Sequence, residues 1–458
     1  MRVGIIGGGL AGLSAGLELA DRGHEVEVIE RRPWAGGATY SFRDDETGDE
    51  VDNGQHVFME CTTAYTAFLE RIGSVELPRR QPRLHVPVFD EDGRRSDLRA
   101  ANLPLGLHLA PTLLRSRHLT WRQKAQVARA FLALRLLGHA ERARLDGLTF
   151  EEWLRDRGQS PDTIREFWDF LVIPTLNCRA DQASARQALF VIEEGFQRSP
   201  TAAAIGIAAV GLSKLHVEPA VRAIEARGGR MTTRAPVERI DVEDGRVTSV
   251  QLRDGEQRSF DAYVSALSPW RLLPLLPQDL RGEGAFAALE RFEPASILNV
   301  HLWFDRPVAD FAFAAFVRSE LQWVFNRSRA GGEDEARGQH LVVSVSAPGE
   351  LFSLGKDELR TRLLPQLHRA LPASRDAVLE HYAVVKEPEA TFVPAPGLQR
   401  PGPRTALANL YLAGAYTDTG WPATMESAVR SGLAAAAAVD AADHQPMAAR
   451  GRASGVEG

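Results

Sequence analysis

The chain has 458 residues, of which 44% are hydrophobic and 25% are charged, and it carries a net charge of −6. These values predict a globular protein of more than one domain and give no reason to expect nucleic acid as a partner. The two cysteines, Cys61 and Cys178, provide neither a disulfide framework nor a metal site. Since no apolar run reaches the ~18 residues of a membrane-spanning helix, we expect a cytoplasmic protein that can bind the inner face of the cell membrane peripherally.

A glycine-rich motif follows the first apolar stretch. Arg2–Ile6 predicts a buried parallel strand, and the next residues give G-x-G-x-x-G. Gly7 allows the turn, Gly9 lets the backbone approach a pyrophosphate, and Gly12 lets the following helix pack on the sheet. A second apolar strand ends at Glu30, whose carboxylate can accept hydrogen bonds from a ribose diol. The stretch therefore predicts a dinucleotide-binding βαβ unit.

A second pair of glycines lies shortly after this unit. Gly36 and Gly37 complete the pattern V-x-V-I-E-x-R-x-x-x-G-G, which resembles the GG-doublet flavoproteins, a group that includes amine oxidases and phytoene desaturases. The resemblance implies that FAD is the cofactor and that the doublet lines it. Relatives usually continue the doublet with arginine, whereas this chain has Ala38.

A polar string, D-N-G-Q-H, occupies positions 52 to 56 beside an apolar strand. Taken alone, it predicts a hairpin turn. Together with the helical segment Cys61–Ile72 that follows, it resembles hydroxysqualene dehydroxylase, also described as squalene-associated FAD-dependent desaturase. That resemblance implies that the string passes near the flavin ring.

Residues 98–145 differ in composition from the rest of the chain. Between Arg99 and Ala140 there is no acidic residue, while arginines alternate with large apolar residues. Basic amphipathic helices of this kind suit an anionic membrane surface, and an ordinary helical subdomain that packs inward is the alternative. The aromatic stretch Phe167–Asn177 likewise predicts either the lining of a hydrocarbon pocket or plain core.

The last signature combines a strand that ends at Gly414, a loop, and a helix that begins near Ala423–Met425. The positive end of this helix can face the N1–C2=O edge of a reduced flavin. The signature resembles the C-terminal FAD motif of the same superfamily, and P-A-T-x-E-x-A-V-R-S-G matches the dehydroxylase group. Relatives usually carry an acid where this chain has Ala415.

The FAD segments at the start, middle and end of the chain make the predicted cofactor domain discontinuous. The predicted fold class is α/β, with a Rossmann-like FAD-binding domain, an inserted α+β substrate domain and a helical subdomain. The predicted boundaries are 1–80, 206–270 and 401–440 for the FAD-binding parts, 81–205 for the helical and substrate part with a membrane-contact segment at 99–145, 271–400 for the substrate sheet, and 441–458 for a disordered tail.

The candidate cofactor-binding residues come from the three FAD segments. Val237 belongs to a V-x-x-I unit whose backbone, by the resemblance, binds adenine. The full set is Gly7, Gly9, Leu10, Ala11, Gly12, Glu30, Arg31, Arg32, Gly36, Gly37, Ala38, Thr39, Gly54, Gln55, His56, Val237, Gly414, Ala415, Pro422, Ala423, Thr424 and Met425.

The resemblance implies a reductive dehydroxylation of hydroxysqualene to squalene in squalene or hopanoid biosynthesis. Departure of water from the allylic alcohol leaves a cation, which hydride from the reduced flavin quenches, so the site needs a proton donor in an apolar tunnel. His56 and Asp52 are the first candidates for this donor, and Tyr416 or Asp418 are substitutes. His56 as hydrogen-bonded scaffolding is the alternative.

Two other functions stay open on the sequence. One is a carotenoid-type desaturase or an amine oxidase, for which Tyr416 and Trp421 could supply part of an aromatic cage. The other is a non-catalytic prenyl-binding escort protein of the GDP-dissociation-inhibitor type. No second dinucleotide fingerprint is visible, so the sequence leaves the electron donor unidentified; the expected partners are a long-chain isoprenoid and a membrane surface.

Overall fold

A computed structural model of the protein describes residues 1–103, 107–332 and 338–444. The strands are β1 (Arg2–Ile6), β2 (Glu25–Ile29), β3 (Ser41–Arg43), β4 (Glu50–Asp52), β5 (Val57–Met59), β6 (Pro78–Arg80), β7 (His85–Phe89), β8 (Arg95–Arg99), β9 (Ile205–Ala208), β10 (Arg230–Thr232), β11 (Val237–Glu243), β12 (Arg246–Leu252), β13 (Gln257–Arg258), β14 (Ala262–Ser265), β15 (Pro294–Phe304), β16 (Phe313–Phe316), β17 (Trp323–Asn326), β18 (Gln339–Ser346), β19 (Leu379–Phe392) and β20 (Leu410–Leu412).

The helices are α1 (Leu10–Asp21), α2 (Thr63–Arg71), α3 (Ala110–Arg115), α4 (Trp121–Arg135), α5 (His139–Arg142), α6 (Phe150–Asp156), α7 (Pro161–Thr163), α8 (Asp169–Leu176), α9 (Ala185–Val191), α10 (Glu218–Glu225), α11 (Pro269–Leu272), α12 (Gly284–Leu289), α13 (Arg327–Gly331), α14 (Lys356–Ala370) and α15 (Met425–Asp443). Wider π turns adjoin α8, α9 and α10. The predicted tail begins inside α15, and its residues 445–458 lie outside the described residues.

A five-stranded parallel sheet collects strands from the start, middle and end of the chain. Its order is β10-β2-β1-β14-β20, and every pairing is parallel. The central strands are short apolar runs because both faces of the sheet are covered. One face packs against helices that include α1 and α15, and the other packs against the strands β11 and β12. This is the Rossmann-like α/β arrangement that the sequence predicted, built from chain segments that lie hundreds of residues apart.

The first and last helices pack closely because their contact contains glycine. A Cβ added at Gly432 of α15 would lie 2.4 Å from the carbonyl oxygen of Ala11 and 2.8 Å from the nitrogen of Ala15, both in α1. Within the first motif, a Cβ at Gly12 would lie 2.0 Å from the Gly7 carbonyl oxygen. Backbone approaches this close leave no room for a side chain, so these glycines join the two ends of the chain.

A second sheet has seven strands in the order β19-β15-β18-β17-β16-β7-β8. Most of them come from the predicted substrate sheet at 271–400, whereas β7 and β8 come from the predicted helical and substrate part at 81–205. β15 pairs antiparallel with β18 on one side. On its other side it pairs antiparallel with β19, which extends to Phe392. β19 contains Pro388, which is tolerated because this is an edge strand and its register with β15 shifts at this point.

The D-N-G-Q-H string does not form a hairpin between its flanking strands. β4, which precedes the string, pairs with β3, whereas β5, which follows it, pairs with β9. The string therefore crosses from one sheet to another. The isolated turn interpretation is wrong because pairing with distant strands decides this backbone.

The region from 107 to 176 is helical, as the sequence predicted. A capping box begins α6: the Thr149 hydroxyl accepts from the Glu152 nitrogen at 3.1 Å, and the Glu152 carboxylate accepts from the Thr149 nitrogen at 2.8 Å. Among the described residues, none of the helices combines the length and the apolar character needed to cross a membrane.

Candidate functional site

A cavity of about 840 Å³ lies between the parallel sheet and the seven-stranded sheet. Its wall includes all three predicted FAD segments as well as one face of β15, β17 and β18. One connected space therefore reaches from the glycine motifs to the substrate domain. A cofactor and a substrate can meet only in such a shared space.

The glycine motif and the glycine doublet form one end of this cavity. The Gly36 nitrogen donates to the Gly8 carbonyl at 2.8 Å, and a Cβ at Gly37 would lie 2.9 Å from the Gly9 Cα. Gly36 has a φ of +123°, which side chains rarely tolerate. The two motifs thus line the cavity with bare backbone in front of the N-terminus of α1, where a pyrophosphate can bind.

Glu30 and Arg32 are fixed beside the doublet. The Glu30 carboxylate accepts from the Gly8 and Arg32 nitrogens, each at 2.9 Å. The Arg32 guanidinium donates to the Gly37 carbonyl at 3.0 Å and lies over the Tyr40 ring. Arg32 therefore places a positive charge next to Ala38, the position at which relatives usually carry arginine.

The C-terminal loop is held by Arg400, a residue that the sequence analysis missed. Its guanidinium donates to the carbonyls of Ala415 at 2.6 Å and Tyr416 at 3.2 Å. It also donates to the carbonyls of Thr417 and Trp421 and contacts the Ser427 hydroxyl at 3.2 Å. Burial lowers the pKa of Arg400 to about 10. The arginine lies in the proline-rich connection before β20, where nothing in the local sequence points to the loop it binds.

The proposed cofactor-binding residues line the cavity with one exception. All of the set given above do so except Gly12, which packs beneath the motif. Two further buried groups in the wall, the Trp270 indole nitrogen and the Tyr416 hydroxyl, have no hydrogen-bond partner among the described residues. A backbone cradle, an oriented carboxylate and unpaired donors together fit a bound dinucleotide.

His56 lies in the cavity wall as a neutral ring. Burial lowers the pKa of its imidazole to about 4, while a hydrogen bond to the Ala38 carbonyl acts in the opposite direction. At neutral pH the ring carries no proton that it can give up easily. The scaffolding alternative therefore fits His56 better than the role of proton donor. Burial also raises the pKa of Tyr416, so its hydroxyl stays protonated.

Asp52 and Asp418 do not reach the cavity, which corrects the sequence-based proposal that either donates a proton there. The Asp52 carboxylate is buried and lies 3.3 Å from the Arg327 guanidinium, and it accepts from the Leu212 nitrogen at 2.9 Å. Burial raises its pKa, an effect that Arg327 opposes. Asp418 is exposed and accepts from the Gly420 nitrogen at 3.2 Å. Both carboxylates stabilise loops.

The structure brings two unpredicted polar residues to the D-N-G-Q-H string. Asn299 in β15 donates to the Asn53 carbonyl at 3.2 Å, and Glu387 in β19 accepts from the Asn53 amide at 3.2 Å. Glu387 pairs in register with Ile297, so it shares one face of the sheet with Ile297 and Asn299. A polar residue on the buried face of a long apolar strand was the signal that could have identified Asn299.

The rest of the cavity wall is largely apolar and aromatic, with polar side chains interspersed at Thr175, Asn177, Glu194, Ser344 and Ser346. The stretch predicted as pocket lining or core supplies both, because Phe170 and Leu171 line the cavity while Trp168 is buried in the cluster behind them. Further apolar wall residues from other elements are Leu84, Val86, Leu98, Phe190, Phe196, Trp323 and Phe325. This lining suits a hydrocarbon chain.

Comparison with known proteins identifies the family. A family model described as flavin containing amine oxidoreductase matches residues 10–440. The chain belongs to this family. A 15-cis-phytoene desaturase from Synechococcus elongatus is 29% identical over 96% of this chain and 96% of its own. A hydroxysqualene dehydroxylase from Zymomonas mobilis is 28% identical over 94% and 97%.

The fold is shared with solved oxidases. Cyclohexylamine oxidase from Brevibacterium oxydans superimposes with a TM-score of 0.70 at 18% identity, covering 97% of this chain and 99% of that one. The protein is therefore a FAD-dependent oxidoreductase with a Rossmann-like FAD-binding fold. The escort-protein alternative, which uses no flavin, does not fit this family. Desaturases and the dehydroxylase are similar to the chain at nearly the same identity.

Proposed function

We propose that the protein reduces hydroxysqualene, a long-chain allylic alcohol, to squalene. The observation that carries this proposal is the make-up of the cavity, whose mainly apolar wall contains a polar cluster formed by residues 53–56 of the D-N-G-Q-H string and Glu387. A pure hydrocarbon offers nothing that such a cluster can bind, whereas an alcohol does. The identity to a hydroxysqualene dehydroxylase supports the same substrate.

Glu387 is the group to which we assign proton delivery. Reduced FAD, when bound, would supply the hydride that replaces the hydroxyl group. Cleavage of the C–O bond releases the hydroxyl as water if Glu387, protonated beforehand from solvent, gives it a proton. The Tyr40 hydroxyl at 3.3 Å and the Asn53 amide at 3.2 Å both donate to Oε1 of Glu387, which orients the carboxyl and leaves Oε2 for the proton. The apolar walls exclude bulk water from the cation that forms.

Residues 107–136, which we call the helical surface, are our proposed contact with an anionic membrane. Trp121 is 71% exposed and Leu136 is 75% exposed, whereas Val127 on the opposite side of α4 is buried. Exposed arginines lie between the apolar side chains. Leu109 and Leu113 pack against the apolar cluster that contains the cavity residues Leu84 and Val86, so this surface adjoins the cavity wall.

A carotenoid desaturase is the second candidate, because the phytoene desaturase is 29% identical. The amine oxidase alternative has less support. Tyr416 packs on Phe292 at 5.9 Å and Trp421 on Phe190 at 5.2 Å, so the two rings belong to different clusters.

The function can be tested by one anaerobic turnover. The purified holoenzyme is reduced with dithionite, hydroxysqualene in detergent is added, and the flavin spectrum and the extracted lipid are followed together. We expect flavin reoxidation with stoichiometric squalene. Glu387→Gln should slow this step about 10²-fold with FAD still bound, and Glu380→Gln, an exposed carboxylate on the same strand, should not. A flavin that stays reduced, with oxidised enzyme that desaturates phytoene, would contradict the proposal.

A further inference from the structure

Two side-chain amides in the cavity wall each have one buried atom without a hydrogen-bond partner. Nε2 of Gln55 and Oδ1 of Asn299 are both buried, and neither has a partner among the described residues. The Asn299 side chain is 0% exposed. Buried polar atoms are nearly always paired, so each of these two needs an explanation.

The orientation of the Asn299 amide is fixed by the backbone beside it. Its Nδ2 donates to the Asn53 carbonyl at 3.2 Å, and a Cβ added at Gly54 would lie 3.1 Å from the same nitrogen. The amide therefore lies against the loop that carries Gln55, with Oδ1 as its free acceptor. Both residues line the cavity.

One free donor and one free acceptor are the complement of an alcohol group. A hydroxyl donates one hydrogen and accepts at its oxygen lone pairs, so it can pair with Asn299 Oδ1 and Gln55 Nε2 at the same time. Ile297 on the same face of β15 is apolar, whereas Ser344 and Ser346, which lie opposite Asn299 and Ile297 on β18, are polar residues of the cavity wall. A hydrocarbon in this place would leave both amide atoms without a partner, which is unfavourable.

We propose that Gln55 and Asn299 form a hydroxyl-binding subsite that selects an isoprenoid alcohol over the corresponding hydrocarbon. This inference deepens the proposed function and rests on it for the identity of the alcohol. The subsite lies beside Glu387, because the Asn53 residue that binds Asn299 also binds Glu387. The same contacts that hold the hydroxyl thus present it to the carboxyl.

The subsite can be tested by ligand binding without turnover. The holoenzyme with oxidised FAD cannot reduce the alcohol, so hydroxysqualene and squalene in the same detergent are titrated separately, using the flavin absorbance change as the signal. We expect the wild type to bind the alcohol about tenfold more tightly than the hydrocarbon. Asn299→Leu and Gln55→Leu should each abolish most of this preference and leave squalene binding unchanged or tighter.

A matched control is Gln187→Leu in α9. Gln187 also has a buried side-chain oxygen without a partner, but it does not line the cavity. Its replacement should leave the preference for the alcohol intact. If it removes the preference equally, the effect is a general loss of packing and the subsite is rejected.

Two other results would overturn the inference. A preference that persists in both Asn299→Leu and Gln55→Leu means that the hydroxyl binds elsewhere. A changed flavin spectrum before any ligand is added, with equal weakening of both ligands, means that the two amides bind the flavin instead. The anaerobic turnover gives an independent result. If squalene forms but the two leucine variants keep the preference for the alcohol, the subsite alone is rejected. If the wild type binds the alcohol selectively but forms no squalene, the proposed function alone is rejected.

Discussion

Arg400 shows how one side chain can hold a whole cofactor loop. The guanidinium binds several backbone carbonyls between Ala415 and Trp421 and has no ion-pair partner among the described residues. Burial of a cation is costly, and these hydrogen bonds offset it together with a longer-range attraction to Asp418 in the same loop. The residue therefore positions the loop that lines the cavity at Ala415 and Tyr416.

Replacement of Arg400 should loosen this loop. Arg400→Leu leaves four carbonyls without their donor, so we expect a loss of about 3 kcal/mol in the free energy of unfolding and release of FAD on gel filtration. Arg400→Lys should retain part of both because it keeps the charge but not the planar fork. Arg404→Leu, an exposed arginine in the same connection, is the control. Full FAD retention in Arg400→Leu would show that the loop does not depend on this residue.

The helical surface is apolar on both its inner and its outer face. The inner face packs into the same apolar cluster as α6 and α8, whereas the outer face carries exposed large apolar side chains. A helix that is apolar on both faces needs a second apolar phase on the outside. The exposed arginines would match the charge of an anionic bilayer, which is the partner that we propose for this surface.

Vesicle binding tests this element directly. Leu132 and Leu136 are 57% and 75% exposed, and the double variant Leu132→Glu/Leu136→Glu should bind anionic vesicles at least tenfold more weakly than wild type, because it removes roughly 3 kcal/mol of apolar transfer and adds like charge. Val378→Glu, which replaces an apolar residue that is 58% exposed on the substrate domain, should bind as wild type does. If the wild-type protein does not bind anionic vesicles, the result favours the alternative that this region is an ordinary helical subdomain that packs inward.

At the scale of the whole molecule, buried histidines link stability to pH. His301 and His340 meet at 3.1 Å between β15 and β18, close to His381, Asp44 and Arg327. Burial lowers the pKa of His301 to about 3 from its ordinary 6.5, and burial followed by the charge of His301 lowers that of His340.

His216 belongs to the same class. Burial lowers the pKa of His216 to about 3, and His56 lowers it further. These rings are neutral in the folded protein and take up protons on unfolding once the pH falls below about 6.5.

Acidification should therefore destabilise the protein through these rings. Each folded pKa lies below the unfolded value, so stability is retained above pH ~6.5 and lost as the pH falls toward the folded pKa. At pH 5 the loss is about 2 kcal/mol for each of His301 and His216, whose folded pKa values are about 3. Urea unfolding at a series of pH values measures this. The double variant His301→Gln/His340→Gln should show a shallower loss, and His139→Gln at an exposed site should not. Equal slopes in all three proteins would reject the argument.

The sequence by itself determined the cofactor and the architecture around it. Glycine motifs and apolar strands are local patterns whose physical requirements can be met in few ways, so the strand at Arg2–Ile6, the doublet at Gly36 and the helix beginning at Met425 are all found where they were predicted. FAD follows from the same patterns, as the family match shows.

The identity of the polar side chains that reach the cavity depends on the tertiary structure. Asp52 and Asn53 are adjacent in the chain, yet one turns to Arg327 and the other to Glu387, which lies in a strand more than 300 residues away. Strand register placed Glu387 and Asn299 on one face, and burial made His56 neutral. Which side chain reaches a cavity depends on long-range pairing and desolvation, and neither can be read from neighbouring residues.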